Sequence, residues 1–127
     1  MILVIGATGY VGRYFCTEMV SKGVDVLALG RSKKVQEFFA ENNVPFQYFD
    51  LNDEKCFDSL PTENVDAIID LSACLAELET PIERFFEVNT LGVYKVLDFA
   101  YQILPALFPR QLKIILPECR HNLSFLR

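Results

Sequence analysis

Gly6, Gly9 and Gly12 recur at intervals of three in the stretch GATGYVGRY, Gly6 to Tyr14, which follows directly on the apolar run MILVI. Glycines spaced in this way suit an approaching phosphate. A phosphate at a strand-to-helix turn needs bare backbone N–H groups and the positive end of a helix dipole, and a side chain on the turn would stand in its way. Gly6 and Gly9 supply that clearance, while Gly12, on the first helical turn, lets the helix pack closely on the strand before it. Such a triplet also occurs in purely structural turns. Its position between a buried strand and an amphipathic helix is what makes it read as a dinucleotide-binding loop.

Other reactive side chains are scattered. The cysteines Cys16, Cys56, Cys74 and Cys119 form no Cys-x-x-Cys pair and have no nearby histidines to complete a zinc site. They read as free thiols of a reducing compartment, and hence of a cytoplasmic protein. The lone His121 falls in the tail ECRHNLSFLR with no orienting partner, and Glu77 and Glu79 read as a solvated loop. The carboxylates show no spacing specific to acid/base pairing or metal binding, so no catalytic or metal-ligating residue is assigned.

The elements that would position the glycine loop follow a regular beat. Met1 to Ile5 is a strand buried on both faces. Tyr10 to Lys22 is a helix, with Val11, Phe15 and Met19 and also Cys16 and Val20 at helical spacing, and Gly23 stops it. Val24 to Leu29 is a strand, Ser32 to Asn42 a short helix with Ser32 as N-cap, and Pro45 to Phe49 a third strand. LNDEKCFDSL supplies a helical turn, and Val65 to Leu71 a fourth strand. A long helix from Pro81 to about Ile103 opens on Thr80 as N-cap with Glu83 closing a capping box. Pro105 and Pro109 end it, and Gln111 to Leu116 is a fifth strand.

Strands separated by helices pair in parallel through right-handed crossovers, which predicts an α/β doubly wound sheet of about five strands in order 3-2-1-4-5. Ligands bind such sheets outside the C-terminal strand ends, where the strand order reverses, here beside strands 1 and 4. The glycine loop lies at that edge.

Length and composition agree with one domain over residues 1 to 127, since a chain of this size buries enough surface for a core. With 51% hydrophobic and 23% charged residues it is an ordinary globular composition. A net charge of −5 gives no general attraction for nucleic acid or an anionic membrane. No apolar run approaches the ~18 residues of a membrane span.

The motifs together resemble the short-chain dehydrogenases/reductases, in particular the extended branch of NAD(P)-dependent epimerases, dehydratases and reductases of nucleotide sugars and related substrates. The family's Gly-x-x-Gly-x-x-Gly loop is matched by Gly6, Ala7, Thr8, Gly9, Tyr10, Val11 and Gly12. FDLND, Phe49 to Asp53, resembles the segment that meets the adenine, which implies that role for Asp50 and Leu51. DAIIDLSA resembles the strand that ends in small residues beside a cofactor ribose, here Leu71, Ser72 and Ala73. VNTLGVYKVLDFA is similar to the helix that carries an Asn behind the active site, matching Asn89. The resemblance implies a Rossmann fold holding NAD or NADP.

Charge distinguishes the two cofactors. NAD-binding members place an acid at the end of strand 2 for the ribose hydroxyls. The acid in that strand, Asp25, sits six residues before Arg31 at the wrong end, about 20 Å away in an extended strand. At the right end stands GRSKK, where Arg31 offers a fork of donors for a 2′-phosphate with Ser32 and Lys33 nearby, and Arg13 faces the same point. The expected cofactor is NADP, with NAD as the alternative.

The family's reaction uses a Tyr with a Lys four residues later, aided by a Ser or Thr after strand 5. The residues four beyond this chain's tyrosines are Tyr14, Glu18, Asn52, Asp98 and Pro105, and Pro117 and Glu118 stand where the Ser would align. The resemblance also covers only about residues 1 to 100, and family members are usually more than twice as long. Two expectations follow. The chain is either the N-terminal, cofactor-binding part of an epimerase/dehydratase, lacking the catalytic and substrate-binding part, or a naturally short, non-catalytic NADP(H)-sensing or partner-binding module. An exposed strand 5 would favour a homo-oligomer in either case.

Overall fold

A computed structural model describes residues 1–74, 80–103 and 113–115. Five parallel strands, β1 (Ile2–Ile5), β2 (Val26–Gly30), β3 (Phe46–Tyr48), β4 (Ala67–Asp70) and β5 (Lys113–Ile115), form one sheet in the order β3-β2-β1-β4-β5. This is the doubly wound order expected. β1 is central, with Ile5 in register with Leu29 of β2 and with Asp70 of β4. Its run of apolar residues is continuous because both faces are covered: Leu3 and Ile5 join one buried cluster and Val4 the other.

On the face of Val4, helix α1 (Tyr10–Ser21) and helix α2 (Gln36–Glu41) cover the sheet, burying Cys16 and Phe39 against Val26 and Ala28. Gly12 and Cys16 are the buried positions of α1, with Phe15, Met19 and Val20 partly buried beside them. Val11 was expected on this inner face but is 62% exposed. The close approach of the helix at Gly12 takes the inward position of the first turn and rotates Val11 to solvent.

α1 ends as the sequence indicates. Gly23 has φ +76 and donates to the Val20 carbonyl, and Val24 donates to Met19 in the paired bonds of a Schellman cap. This cap also explains why β2 starts at Val26 and not at Val24, since the Val24 N–H is already committed. Ser32 precedes a 3₁₀ turn, Lys33–Val35, and makes no side-chain cap.

The other face is covered by α3 (Lys55–Asp58) and by a helical stretch with three parts: α4 (Ile82–Phe86), a π-helical turn (Glu87–Gly92) and α5 (Val93–Ile103). Val96, Phe99, Ala100 and Ile103 are its buried stripe, at the spacing that turns one helix face to a core. Two expectations are corrected here. The stretch is not one unbroken helix, because the π turn inserts within it, and Thr80 is not its cap. Pro81 takes the N-cap position with an extended ψ of 141, and its carbonyl accepts from Arg84, so no capping box forms. Pro105, Pro109, Glu77, Glu79, Cys119 and His121, with most of the tail, lie outside the described residues.

Among the described residues no helix is long and apolar enough to cross a membrane. Among the described residues the core contains one charged residue, Asp70 at the end of β4, which has no exposed surface. Burial pushes its carboxyl above its ordinary value of 3.8, while hydrogen bonds from the Ser72 hydroxyl and N–H pull it back.

Two outcomes are expected. Phe39 stacks on Phe46 at 5.4 Å and meets Phe38 edge-on at 5.6 Å, so Phe39→Ala costs about 3–5 kcal/mol in urea unfolding. Tyr101→Ala, at a site 74% exposed, stays within about 0.5 kcal/mol. The second concerns pH. A carboxyl whose folded pKa is raised binds its proton more tightly when folded, so its stabilising contribution is full below about pH 4 and is lost as pH rises through the folded pKa. Wild type therefore loses stability relative to Asp70→Asn as pH rises above about 4. A difference that stays flat over that rise would show that Asp70 does not titrate with folding.

Candidate functional site

A cleft of about 210 Å³ opens at the C-terminal ends of β1, β2 and β4. It is lined by Gly6, Thr8, Gly9, Arg31, Asp50, Leu51, Leu71, Ser72 and Ala73 from the sequence-expected set, together with Ile5, Gly30, Phe49, Asn52 and Val88. Its place follows from the topology. The chain leaves β1 toward β2 and β3, then returns to the other side of β1 to lay down β4, and the two connections diverge above β1.

The glycine loop is built by close backbone approach. Gly6 has φ +75, and a Cβ there would stand 2.6 Å from the Ser72 nitrogen and 2.7 Å from the Leu71 carbonyl carbon. Only glycine fits between the loop and the end of β4. A Cβ on Gly12 would lie 2.6 Å from Ala7 Cα, so α1 is seated on the loop itself, and not only on the strand as the sequence suggested. At Gly9 the nearest atom to such a Cβ is the Gly6 oxygen at 3.4 Å. That position could hold a side chain, and its bareness keeps the cleft open.

Gly9 is also the N-cap of α1 and supplies no side-chain cap; among the described residues no side chain bonds to the first turn, and no acidic residue stands there. The first N–H groups of α1 thus lack intrahelical partners beside Gly9, which lines the cleft, with the positive end of the helix dipole behind them. The geometry fits a phosphate or diphosphate. Gly30, which sequence reasoning passed over, closes β2 against this loop, where a Cβ would meet Thr8 Cγ2 at 2.6 Å. A glycine ending a buried strand just before a basic residue was the available signal.

Arg31 is exposed on the wall at the end of β2. Arg13 does not line the cleft; its guanidinium lies over the Phe38 ring at 5.8 Å, and Lys33 lies over Tyr48 at 5.4 Å. Ser32 is half-buried and also outside the lining. Asp25 is at the far end of β2, where its carbonyl accepts from the Ile2 N–H. Tyr10 is 85% exposed and, like Val11, turns away from the cleft.

Asp50 accepts the Asn52 N–H on Oδ1 at 3.0 Å, which folds the segment after β3 over the cleft. Leu51 beside it is buried against Gly92, where any side chain would collide with Leu51 Cδ2. Asn89 stands in the π turn, behind the cleft and not in it. Its amide receives the Cys74 N–H and donates to the Cys74 carbonyl, both at 2.9 Å, and so clamps the chain leaving Ala73.

Asp70 is a further residue that sequence reasoning did not select. Its Oδ1 accepts the Ser72 N–H at 2.9 Å and the Ser72 hydroxyl at 2.5 Å. The signal was a lone charge inside the apolar stretch AIIDLSA. Among the described residues no group of three His, Cys, Asp or Glu gathers to hold a metal. Burial pushes the Cys16 thiol up to about 12, which leaves it an inert part of the core.

Known proteins share this arrangement. An uncharacterized short-chain type dehydrogenase/reductase of Sinorhizobium fredii is 29% identical over 103 residues, covering 74% of this chain and 42% of that protein. The serine dehydrogenase of Escherichia coli superposes with a TM-score of 0.69 at 26% identity, over 91% of this chain and 59% of that one. A short-chain dehydrogenase/reductase superfamily protein of Agrobacterium tumefaciens, with bound NAD, superposes at 0.65 and 25% identity, over 81% and 29% of the two chains. The chain thus spans less than two thirds of the length of each of these relatives. The family model of the NAD dependent epimerases/dehydratases matches residues 2–108. With its parallel sheet, its glycine loop and that match, the chain belongs to the NAD dependent epimerase/dehydratase family, as an NAD(P)-binding domain.

Proposed function

We propose that the cleft holds NADP, with the diphosphate on Gly6 to Gly9, the adenosine 2′-phosphate at Arg31 and the adenine against Asp50 and Leu51. Leu71, Ser72 and Ala73 then lie beside the second ribose. The observation that carries this reading is an uncapped helix N-terminus and an exposed arginine on the same cleft, with the acid of β2 at the opposite end of the strand. NAD, which the Agrobacterium protein binds, is the second candidate. Thr8 and Gly12 shape the loop. Tyr10 and Val11 contribute backbone donors of the first turn, Arg13 closes that turn by donating its N–H to the Gly9 carbonyl, Ser32 flanks the 2′-phosphate, and Asn89 acts by holding Cys74.

When bound, the nicotinamide supplies hydride transfer. The residues of this chain bind and orient the cofactor. In a protein of the relatives' length, the domain would serve an epimerase, dehydratase or reductase acting on a nucleotide sugar or related substrate. A second reading is favoured by the place of β5 at the edge of the described sheet: a non-catalytic module that senses NADP(H) or binds a partner, or a second copy, through that edge. A cytoplasmic location accords with the free thiols Cys16 and Cys56.

Calorimetric titration separates the roles. Arg31→Ala weakens NADP by about tenfold or more and NAD by less than about twofold, because only NADP loses a charge-assisted contact. Equal losses would place the phosphate elsewhere. Gly9→Ala adds a methyl group to the open wall of the loop, so NADP affinity falls by about tenfold while stability falls by about 1 kcal/mol or less. Unchanged affinity would move the diphosphate off the loop.

A further inference from the structure

Asp70 is a costly residue for its position. It is the final residue of β4, fully buried, and its Oδ2 has no hydrogen-bond partner among the described residues. An apolar side chain would suit the surrounding cluster better, since an unpartnered buried oxygen is destabilising. Everything the carboxyl does in the structure it does through Oδ1, and both bonds to Oδ1 come from Ser72. The N–H bond alone would make an ordinary turn at a strand end. The hydroxyl bond does something more, because a serine has a single hydroxyl proton and this one is committed to Asp70. What remains on Ser72 Oγ is lone pairs, and Ser72 lines the cleft.

The order of the strands says what meets those lone pairs. Arg31 follows β2, the glycine loop follows β1 and Ser72 follows β4, and these three strands are neighbours in that order. A ligand with its adenosine at Arg31 and its diphosphate on the loop therefore extends its far half toward Ser72. We propose that Asp70 is a positioning residue: it takes the Ser72 hydroxyl proton, fixes Ser72 Oγ as an acceptor, and so selects a ligand that presents a hydroxyl there, the second ribose of the dinucleotide. The proposal rests on the cofactor reading above.

The test measures binding of two probes to the full chain, NADP and adenosine 2′,5′-bisphosphate, which lacks the second ribose. Ser72→Ala and Asp70→Leu each weaken NADP by about fivefold to tenfold, the size of one hydrogen bond, and leave the bisphosphate within about twofold. The double variant loses no more than either single one, since both remove the same contact. Asp70→Asn retains NADP affinity, because its Oδ1 still accepts the hydroxyl proton. Asp70→Leu melts within about 3 °C of wild type, which separates lost orientation from lost folding.

Losses that multiply in the double variant, an unchanged NADP affinity in Ser72→Ala, or equal losses for both probes would overturn the assignment. Wild type that binds the bisphosphate but gains nothing from the second ribose would overturn it as well, while leaving the cofactor reading standing. Wild type that binds neither probe would remove both.

Discussion

The site depends on one constraint, the approach of the Gly6–Ala7 backbone to two neighbours at once. On one side it lies against the Leu71–Ser72 backbone, and on the other against Gly12 of α1, at distances that leave no room for a Cβ on either glycine. This double contact fixes where α1 begins and therefore where its unpaired N–H groups point. It also fixes the spacing between the ends of β1 and β4, which is the width of the cleft. The hydrogen bonds from Ala7 to Leu29 and from Leu71 to Ile5 tie the same loop into the sheet on both flanks.

The far wall is held by a different device. The π turn places Asn89 so that its amide matches both polar groups of Cys74, and it brings Gly92 under Leu51. A regular α-helix would advance these residues by a different angle, and the two contacts would not fall together. The interruption thus coordinates the segments after β3 and β4, which approach the cleft from opposite sides. Asp70 adds a polar constraint of its own, directing one hydroxyl from within an otherwise apolar layer.

Much of the fold was legible in the sequence. The apolar run of β1, the stop at Gly23 and the stripe Val96, Phe99, Ala100 and Ile103 each express a local rule, and local rules survive folding. The departures come from competition with neighbours. Val24 gave its N–H to the helix cap and not to the sheet, Pro81 took the cap position that Thr80 was expected to fill, and Val11 yielded the inner face to Gly12. No periodicity announces a π turn, because its extra residue is accommodated by contacts with Cys74 and Leu51 that lie distant in the chain.

The sequence by itself determined the alternation of strands and helices, the glycine loop and the side of β2 on which the positive charge falls, since each is a matter of residue type and spacing along a short segment. The tertiary structure alone decided which of these residues share a cleft. It turned Arg13 onto Phe38 and left Arg31 on the wall, and it put Asn89 behind the site and not in it. It also made Asp70 a buried carboxyl serving one serine. The reason is that a parallel sheet gathers strand ends far apart in sequence onto one edge, and burial and orientation there depend on all of them at once.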